Sequence, residues 1–505
     1  MSETRRLLRR EITYESAKEK EENVLHQLGY YHQQARFFAH LDAHRSWIES
    51  VVAHHLGLKS RTECRVVETD HWLHGSFNVC IPIILGDCIQ NCVLVRLPLP
   101  YRIGEAFQPG NSDEKVRCEA GTYAWLQENC PDVPIPRLYG FALSTGESFT
   151  RVEHLPFLTR WMYKLRHQIL KWLGQSTPTN YIRHQNATLG NPIGTGYLLI
   201  EYIEKTQGAM LSNTWTIVQH DSRLRTNLFQ DLSRILLKIG RIPIPKIGSF
   251  LIDNDGFLKL ANRPLSIEIQ QMENENIPTG ICLNYTYTTV DSYLMDLLTL
   301  HDNRFRYQPN AVQNLGDCVY QLSTLTAMRS VFQSFFQRDF CRGPFVFTLT
   351  DLHQSNIFVD SDWHITCLMM NTPYWLTNRG VDEIDPTEYN EIRTEFMRNL
   401  AMEEESIGPV AFAGNSHPPS LSDVMNQTWT TGTFWYTLAL SSPSGLFTIF
   451  KDQIRPLFCT DYIEEFNLIM PFFWRRNVGY IVGCKLSDKE QYDKSLRQAF
   501  VNDSD

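Results

Sequence analysis

Residues 345–370 read FVFTLTDLHQSNIFVDSDWHITCLMM, a polar turn set between runs that can only be buried. Phe345-Val346-Phe347 is a short apolar strand and Ile357-Phe358-Val359 a second. Asp360-Ser361-Asp362 then makes a polar turn into a third run, His364 to Leu368. Between the first two runs lie Asp351, His353 and Asn356. An Asp followed five residues later by an Asn suits phosphoryl transfer: the carboxylate accepts or orients a hydroxyl proton, and the amide oxygen is a hard ligand for Mg²⁺. The same residues would serve equally well in an Asx-capped loop.

Working outward, residues 65–97 carry β-rich runs broken by Gly75, Gly86 and Asp87. In the turn Gly75-Ser76-Phe77-Asn78, the residues Gly75, Ser76 and Asn78 form a candidate nucleotide loop, because a glycine lets backbone amides approach phosphate oxygens. A plain hairpin turn reads the same way. Arg96 ends a strand in V-L-V-R-L-P, and Ser112 is the expected cap of an amphipathic helix, Asp113 to Asn129, that carries Glu119. A strand cation paired with a helix carboxylate can position phosphates, though a surface Arg and a helix-face Glu would look alike. Tyr197 to Ile203 is a further apolar strand. Residues 155–190 interrupt this order with a basic, helical stretch around Trp161 to Trp172 and a Ser/Thr/Pro/Asn loop, to which no function is assigned.

Asp351-Leu352-His353-Gln354-Ser355-Asn356, followed by Ile-Phe-Val-Asp, resembles the catalytic loop of the aminoglycoside phosphotransferase family, and most closely its large fungal branch. The resemblance implies an α+β, protein-kinase-like fold with a small β-rich N-lobe and a larger, mainly helical C-lobe. It implies ATP and Mg²⁺ as cofactors and transfer of the γ-phosphate to a small-molecule hydroxyl, with Asp351 as base and Asn356 on the metal. Arg96 would pair with Glu119 beside the phosphates, and the main chain from Glu201 to Ile203 would meet the adenine.

Three departures matter. The wider family reads H-G-D before the catalytic turn, whereas this chain has Leu349-Thr350-Asp351, as the fungal branch commonly does. The family also continues the next strand into an Asp, usually in I-D-x-E-W, that binds the nucleotide's Mg²⁺. Here Cys367-Leu368 runs into Met369-Met370-Asn371-Thr372 before Pro373-Tyr374-Trp375-Leu376 again resembles the family. A short segment bearing that carboxylate is therefore missing. Third, Asp360, Asp362, Asp382 and Asp385 lie near it in sequence, yet none stands at the expected strand end. A second reading follows, that of a catalytically impaired pseudokinase acting as a nucleotide-binding or protein-interaction module.

The chain as a whole bounds the rest. Its 505 residues and 43% hydrophobic content can fill two large lobes. A formal net charge of −9 argues against a nucleic-acid partner, which would want a basic face. Twelve cysteines without C-x-x-C pairs, and a first stretch without an apolar signal core, predict reduced thiols and a cytoplasmic location. With no long apolar run, no membrane partner is expected. The partners implied are a nucleotide and a small-molecule acceptor. Three divisions are expected: a helical lead-in over 1–60, an N-lobe over 61–200 with the insertion 155–190, and a helical C-lobe over 201–505 with the catalytic loop at 349–356.

Overall fold

A computed structural model describes residues 4–86, 91–185, 190–349, 353–368, 386–408, 420–442, 445–459 and 465–501. The chain is mixed α+β, β-rich in its N-terminal part and helical in its C-terminal part. After a small hairpin, Thr4–Arg6 with Glu11–Thr13, come the helices α1 (Tyr30–Ala43) and α2 (Arg45–Leu56). The N-terminal sheet comprises β1 (Cys64–Val66), β2 (Leu73–His74), β3 (Asn78–Leu85), β4 (Cys92–Pro98), β5 (Leu138–Ala142), β6 (Glu147–Arg151), β7 (Tyr181–Gln185) and β8 (Tyr197–Glu201). Its spatial order is β1-β3-β4-β8-β5-β6-β7, with β2 also on β3, and every pairing is antiparallel.

Both faces of this sheet are covered, which is why β3 and β4 read as near-continuous apolar runs instead of alternating ones. Val93, Val95 and Leu97 pack on one face with Leu41, Ile48 and Val52 from α1 and α2. On the other face Leu94 packs with Leu198, Phe141 and the buried side of α3 (Asn111–Asn129), formed by Val116, Ala120, Tyr123 and Ala124. Because side chains alternate along a strand, Arg96 shares the Leu94 face and so points toward α3. This parity, together with the helical spacing of α3, brings a strand cation and a helix carboxylate face to face.

The start of α3 differs from the expectation. Ser112 lies inside the helix, not at its cap; the cap position is Gly110, whose φ of 105° suits glycine. The Glu105 carboxylate takes over the capping, accepting from the Gly110 amide at 2.8 Å and the Ser112 amide at 2.6 Å. The Ser112 hydroxyl instead bonds the Thr195 hydroxyl and accepts from the Gly196 amide at 3.0 Å. The insertion also exceeds its expectation: after α4 (Phe157–Trp172), the stretch expected as loop contains β7, which extends the sheet beside β6.

Helix α3 is held to the C-terminal part by a buried charge network. Arg263 binds Glu114 with both ends of its guanidinium fork, at 2.9 and 2.8 Å, and Glu273 at 2.6 and 2.9 Å. Asn262 and Asn111 donate to the same carboxylates, at 2.8 and 2.9 Å. All three charged side chains are buried, so the pairing is what makes their burial possible. Nearby, beyond the short strand β9 (Ala209–Met210), the strands β10 (Ser249–Ile252) and β11 (Leu258–Asn262) form a hairpin, with Gly256 at φ 83° in its turn.

The C-terminal part builds one large core from α5 (Ser222–Gly240), α6 (Val290–Tyr307), α7 (Leu315–Val331), α8 (Pro386–Ile407), α9 (Leu421–Thr430) and α10 (Thr433–Leu440). Helices α9 and α10 are separated at Gly432, whose φ is 78°. Aromatics fill the core here: Trp435 and Tyr436 are buried, and Trp429 stacks on Tyr389. The final helix, α11 (Val478–Val501), buries Tyr492, Leu496 and Phe500 against Leu7, Ile12, Ala17 and Val24. The lead-in is thus split, its first residues docking on the last helix and α2 docking on the sheet. Among the described residues no helix is long and apolar enough to cross a membrane, and the cysteines are free thiols.

Candidate functional site

Arg96 and Glu119 meet as their spacing predicts, with Arg96 Nε donating to Glu119 Oε2 at 3.1 Å. Sequence reasoning missed the second cation: Lys115, one turn earlier on α3, sits 2.8 Å from Glu119 Oε1. The Lys-to-Glu spacing of four residues was the available signal. Both oxygens of one carboxylate are therefore occupied by separate cations, and the cluster carries a surplus positive charge. Arg96 and Glu119 are each 22% exposed, so this charge is neither fully screened by water nor sealed away. Burial alone would raise the Glu119 carboxyl, yet Arg96 and Lys115 hold it at about 2. Desolvation works against charge on Arg96, but Glu119 more than offsets it and keeps the guanidinium ionised.

Asn78 belongs to this cluster. Oriented to satisfy both neighbours, its amide accepts from Arg96 Nη2 at 2.9 Å and donates to the Phe77 carbonyl at 3.3 Å. Gly75 and Ser76 form the exposed tip of a closed hairpin turn, with the Gly75 amide donating to the Asn78 carbonyl at 2.9 Å and Arg102 donating to the Ser76 carbonyl at 2.9 Å. A Cβ added at Gly75 would meet nothing within 4 Å, so local packing does not require glycine there. Of the three loop residues, it is Asn78 that hydrogen-bonds Arg96.

The stretch that opened the reading folds largely as its pattern indicates. Phe345–Val346 is a strand, Gln354–Asn356 a 3₁₀ turn, and β12 (Ile357–Val359) pairs with β13 (Ile365–Leu368). Asp351 lies outside the described residues, as do Asp382 and Asp385. Asn356 is half-buried at the end of the 3₁₀ turn, its amide donating to the His353 carbonyl at 2.8 Å. Since Ile357 pairs with Leu368, Asn356 stands at the same end of the hairpin from which Met369 would leave.

That hairpin end shares the surroundings of the ion pair. Burial drives the Tyr123 phenol far above its usual range; Arg96 opposes the shift, while Glu119 and the neighbouring Cys367 add to it. Tyr123 is thus close enough to feel both the Arg96–Glu119 pair and the last turn of β13. Lys115, Glu119 and Tyr123, four residues apart along α3, form one stripe facing these groups. Cys367 itself is pushed up to about 12 by burial and by Glu201. The end of β13 is so tied to the end of β8, and Leu368 also donates to the Pro134 carbonyl at 2.7 Å.

At the expected adenine segment, the Glu201 amide donates to the Arg137 carbonyl at 2.8 Å, and its carboxylate accepts from the Arg137 amide at 3.0 Å. Those two groups of Glu201 are committed to the chain. Ile203 is half-buried two residues beyond, just past the strand.

The phosphates and the metal fare differently when tested against these residues. The surplus cation on Arg96 and Lys115 fits an anion. Mg²⁺ does not fit the described residues. Among them no group of three or more His, Cys, Asp or Glu could hold a metal ion, and β13 offers a neutral thiol where a hard carboxylate is expected. Asp360 and Asp362 cannot stand in. They lie at the turn of the β12–β13 hairpin, roughly 10 Å from Leu368 at about 3.3 Å per residue. There Asp360 accepts from the Asp362 and His364 amides and Asp362 pairs with Arg223.

No protein-family model matches the chain, and no curated protein or solved structure matches it either.

Proposed function

We propose that this chain is an ATP-dependent phosphotransferase of protein-kinase-like organisation, akin to the aminoglycoside phosphotransferases and working in the cytoplasm on a small-molecule hydroxyl. Arg96, braced by Glu119 and Asn78, would receive the nucleotide phosphates, and the chain between Glu201 and Ile203 would meet the adenine. Asp351 would take the acceptor's proton as its oxygen bonds the γ-phosphorus and ADP leaves. The observation that carries the reading is the pair of cations, Arg96 and Lys115, sharing the single carboxylate of Glu119. Tyr123, one turn beyond Glu119 on the same face of α3, feels both this pair and Cys367 of β13. A lone positive charge on a partly buried wall is an anion site in waiting.

A second reading, a catalytically impaired module that binds nucleotide or a protein, is favoured by one specific observation. The strand that should deliver a metal carboxylate ends at Cys367 and Leu368, with the hairpin's own carboxylates at its far end.

Titrating the full chain with ATP while following its melting temperature tests both readings. A saturable rise that Lys115→Gln and Arg96→Gln each reduce is expected, and no rise at low-millimolar ATP would overturn the phosphotransferase and the nucleotide-binding form of the second reading, leaving only a protein-binding module. Following labelled γ-phosphate then separates them, since binding without turnover selects the impaired module.

A further inference from the structure

Helix α4, the basic part of the insertion, is mounted the wrong way round for a helix of a folded core. Amphipathic helices turn their apolar stripe inward. At about 100° per residue, Phe157, Leu158, Trp161, Leu165, Ile169 and Trp172 fall within one arc of about 120°. That arc faces solvent: Phe157 is 70% exposed, Trp161 56% and Trp172 86%. The face opposite holds the helix down through Tyr163, which is buried and donates to the Pro178 carbonyl at 2.9 Å and the Thr179 carbonyl at 2.6 Å. These side chains cannot turn inward without breaking that anchor, so the exposure is built into how the helix is seated.

Charge says what covers the stripe. Helix α4 contains Arg160, Lys164, Arg166 and Lys171 and no Asp or Glu, in a chain whose formal net charge is −9. Lys164 and Lys171 border one edge of the apolar arc, and both are exposed. Tryptophans near both ends of an apolar stripe, with lysines along its edge, suit the boundary between headgroups and acyl chains, where indole rings settle and lysine stems lie along apolar surface. The helix is about 24 Å long, too short and too cationic to span but well shaped to lie flat.

We propose that α4 is an interfacial anchor that binds the chain peripherally to an anionic membrane surface. The apolar stripe enters the headgroup layer, and the flanking lysines meet acidic lipids. This departs from the expectation of no membrane partner, which rested on the lack of a long apolar run and left peripheral binding untested. It does not depend on the nucleotide reading.

Flotation of the full chain with vesicles tests it. Binding to phosphatidylcholine vesicles rich in phosphatidylserine, little binding to phosphatidylcholine alone, and weakening by salt are expected. Lys164→Ala with Lys171→Ala should weaken binding about 30-fold, at about 1 kcal/mol for each lysine near the surface. Trp161→Ser with Leu165→Ser and Trp172→Ser should weaken it by on the order of 100-fold or more. All five side chains are exposed, so an unchanged melting temperature shows that the fold survives. Failure to bind acidic vesicles at low salt, or binding that the apolar triple variant keeps, overturns the proposal. A dimer in solution that the triple variant dissolves, without vesicle binding, overturns it in favour of a second copy of the chain on the same face.

Discussion

Replacing Glu119 by Gln isolates the electrostatics of the candidate site. The carboxyl is held at about 2 instead of 4.5, which corresponds to ~3 kcal/mol of stabilisation at 1.36 kcal/mol for each unit. Glutamine keeps the shape but leaves Arg96 and Lys115, each partly buried, without a counter-ion, so a loss of similar size is expected. The sign of the pH dependence follows from the lowered value. The stabilisation is fully present above about pH 4.5, where the carboxyl is ionised in both states, and disappears as the pH falls through about 2. The gap between wild type and Glu119→Gln should thus be flat from neutral pH to about 5 and close toward 2. Urea unfolding monitored by tryptophan fluorescence across that range measures the gap and cancels the titrations common to both proteins. A variant as stable as wild type at neutral pH, or a gap unchanged at pH 2, would refute the shared-carboxylate account.

Other perturbations reach other parts of the molecule. Arg263→Met should cost about 3–5 kcal/mol in urea unfolding, because Glu114 and Glu273 remain buried with their shared cation gone. Gly121→Ala should destabilise by about 1–3 kcal/mol, since its Cβ would lie 2.5 Å from the Phe250 carbonyl oxygen and force α3 off β10; an unchanged melting curve would show that this approach is slack. His184 touches His54 at 2.6 Å between their Nε2 atoms and is held at about 4 by burial and by His54. Its protonation therefore favours unfolding, stability falls as the pH drops from about 6.5 toward 4, and His184→Gln should make that limb shallower in urea midpoints. Asp351→Asn should abolish phosphotransfer while leaving ATP affinity within a few-fold, whereas inserting a D-x-E-W segment after Leu368 should raise turnover by about 10³-fold, ~4 kcal/mol. Labelled-phosphate kinetics beside ATP titration reads both.

What the sequence determined by itself is what repeats over a few residues. The apolar runs of β3 and β4 marked strands, and the parity of Leu94 and Arg96 with the spacing of Val116, Glu119, Ala120 and Tyr123 brought a cation and a carboxylate to one interface. The β12–β13 hairpin was equally legible, because alternation and turn chemistry are local. Ser112 was misjudged as a cap because a more distant carboxylate, Glu105, had taken the two amides. Only the tertiary structure decided the rest. Arg263 finds Glu114 across 149 positions, Tyr123 feels Cys367, and the first residues of the chain close on its last helix. The same holds for α4, whose amphipathic pattern names an apolar face without saying where it points. A sequence period states which side chains stand together, whereas what they stand against depends on chain closures that bring distant segments to one place.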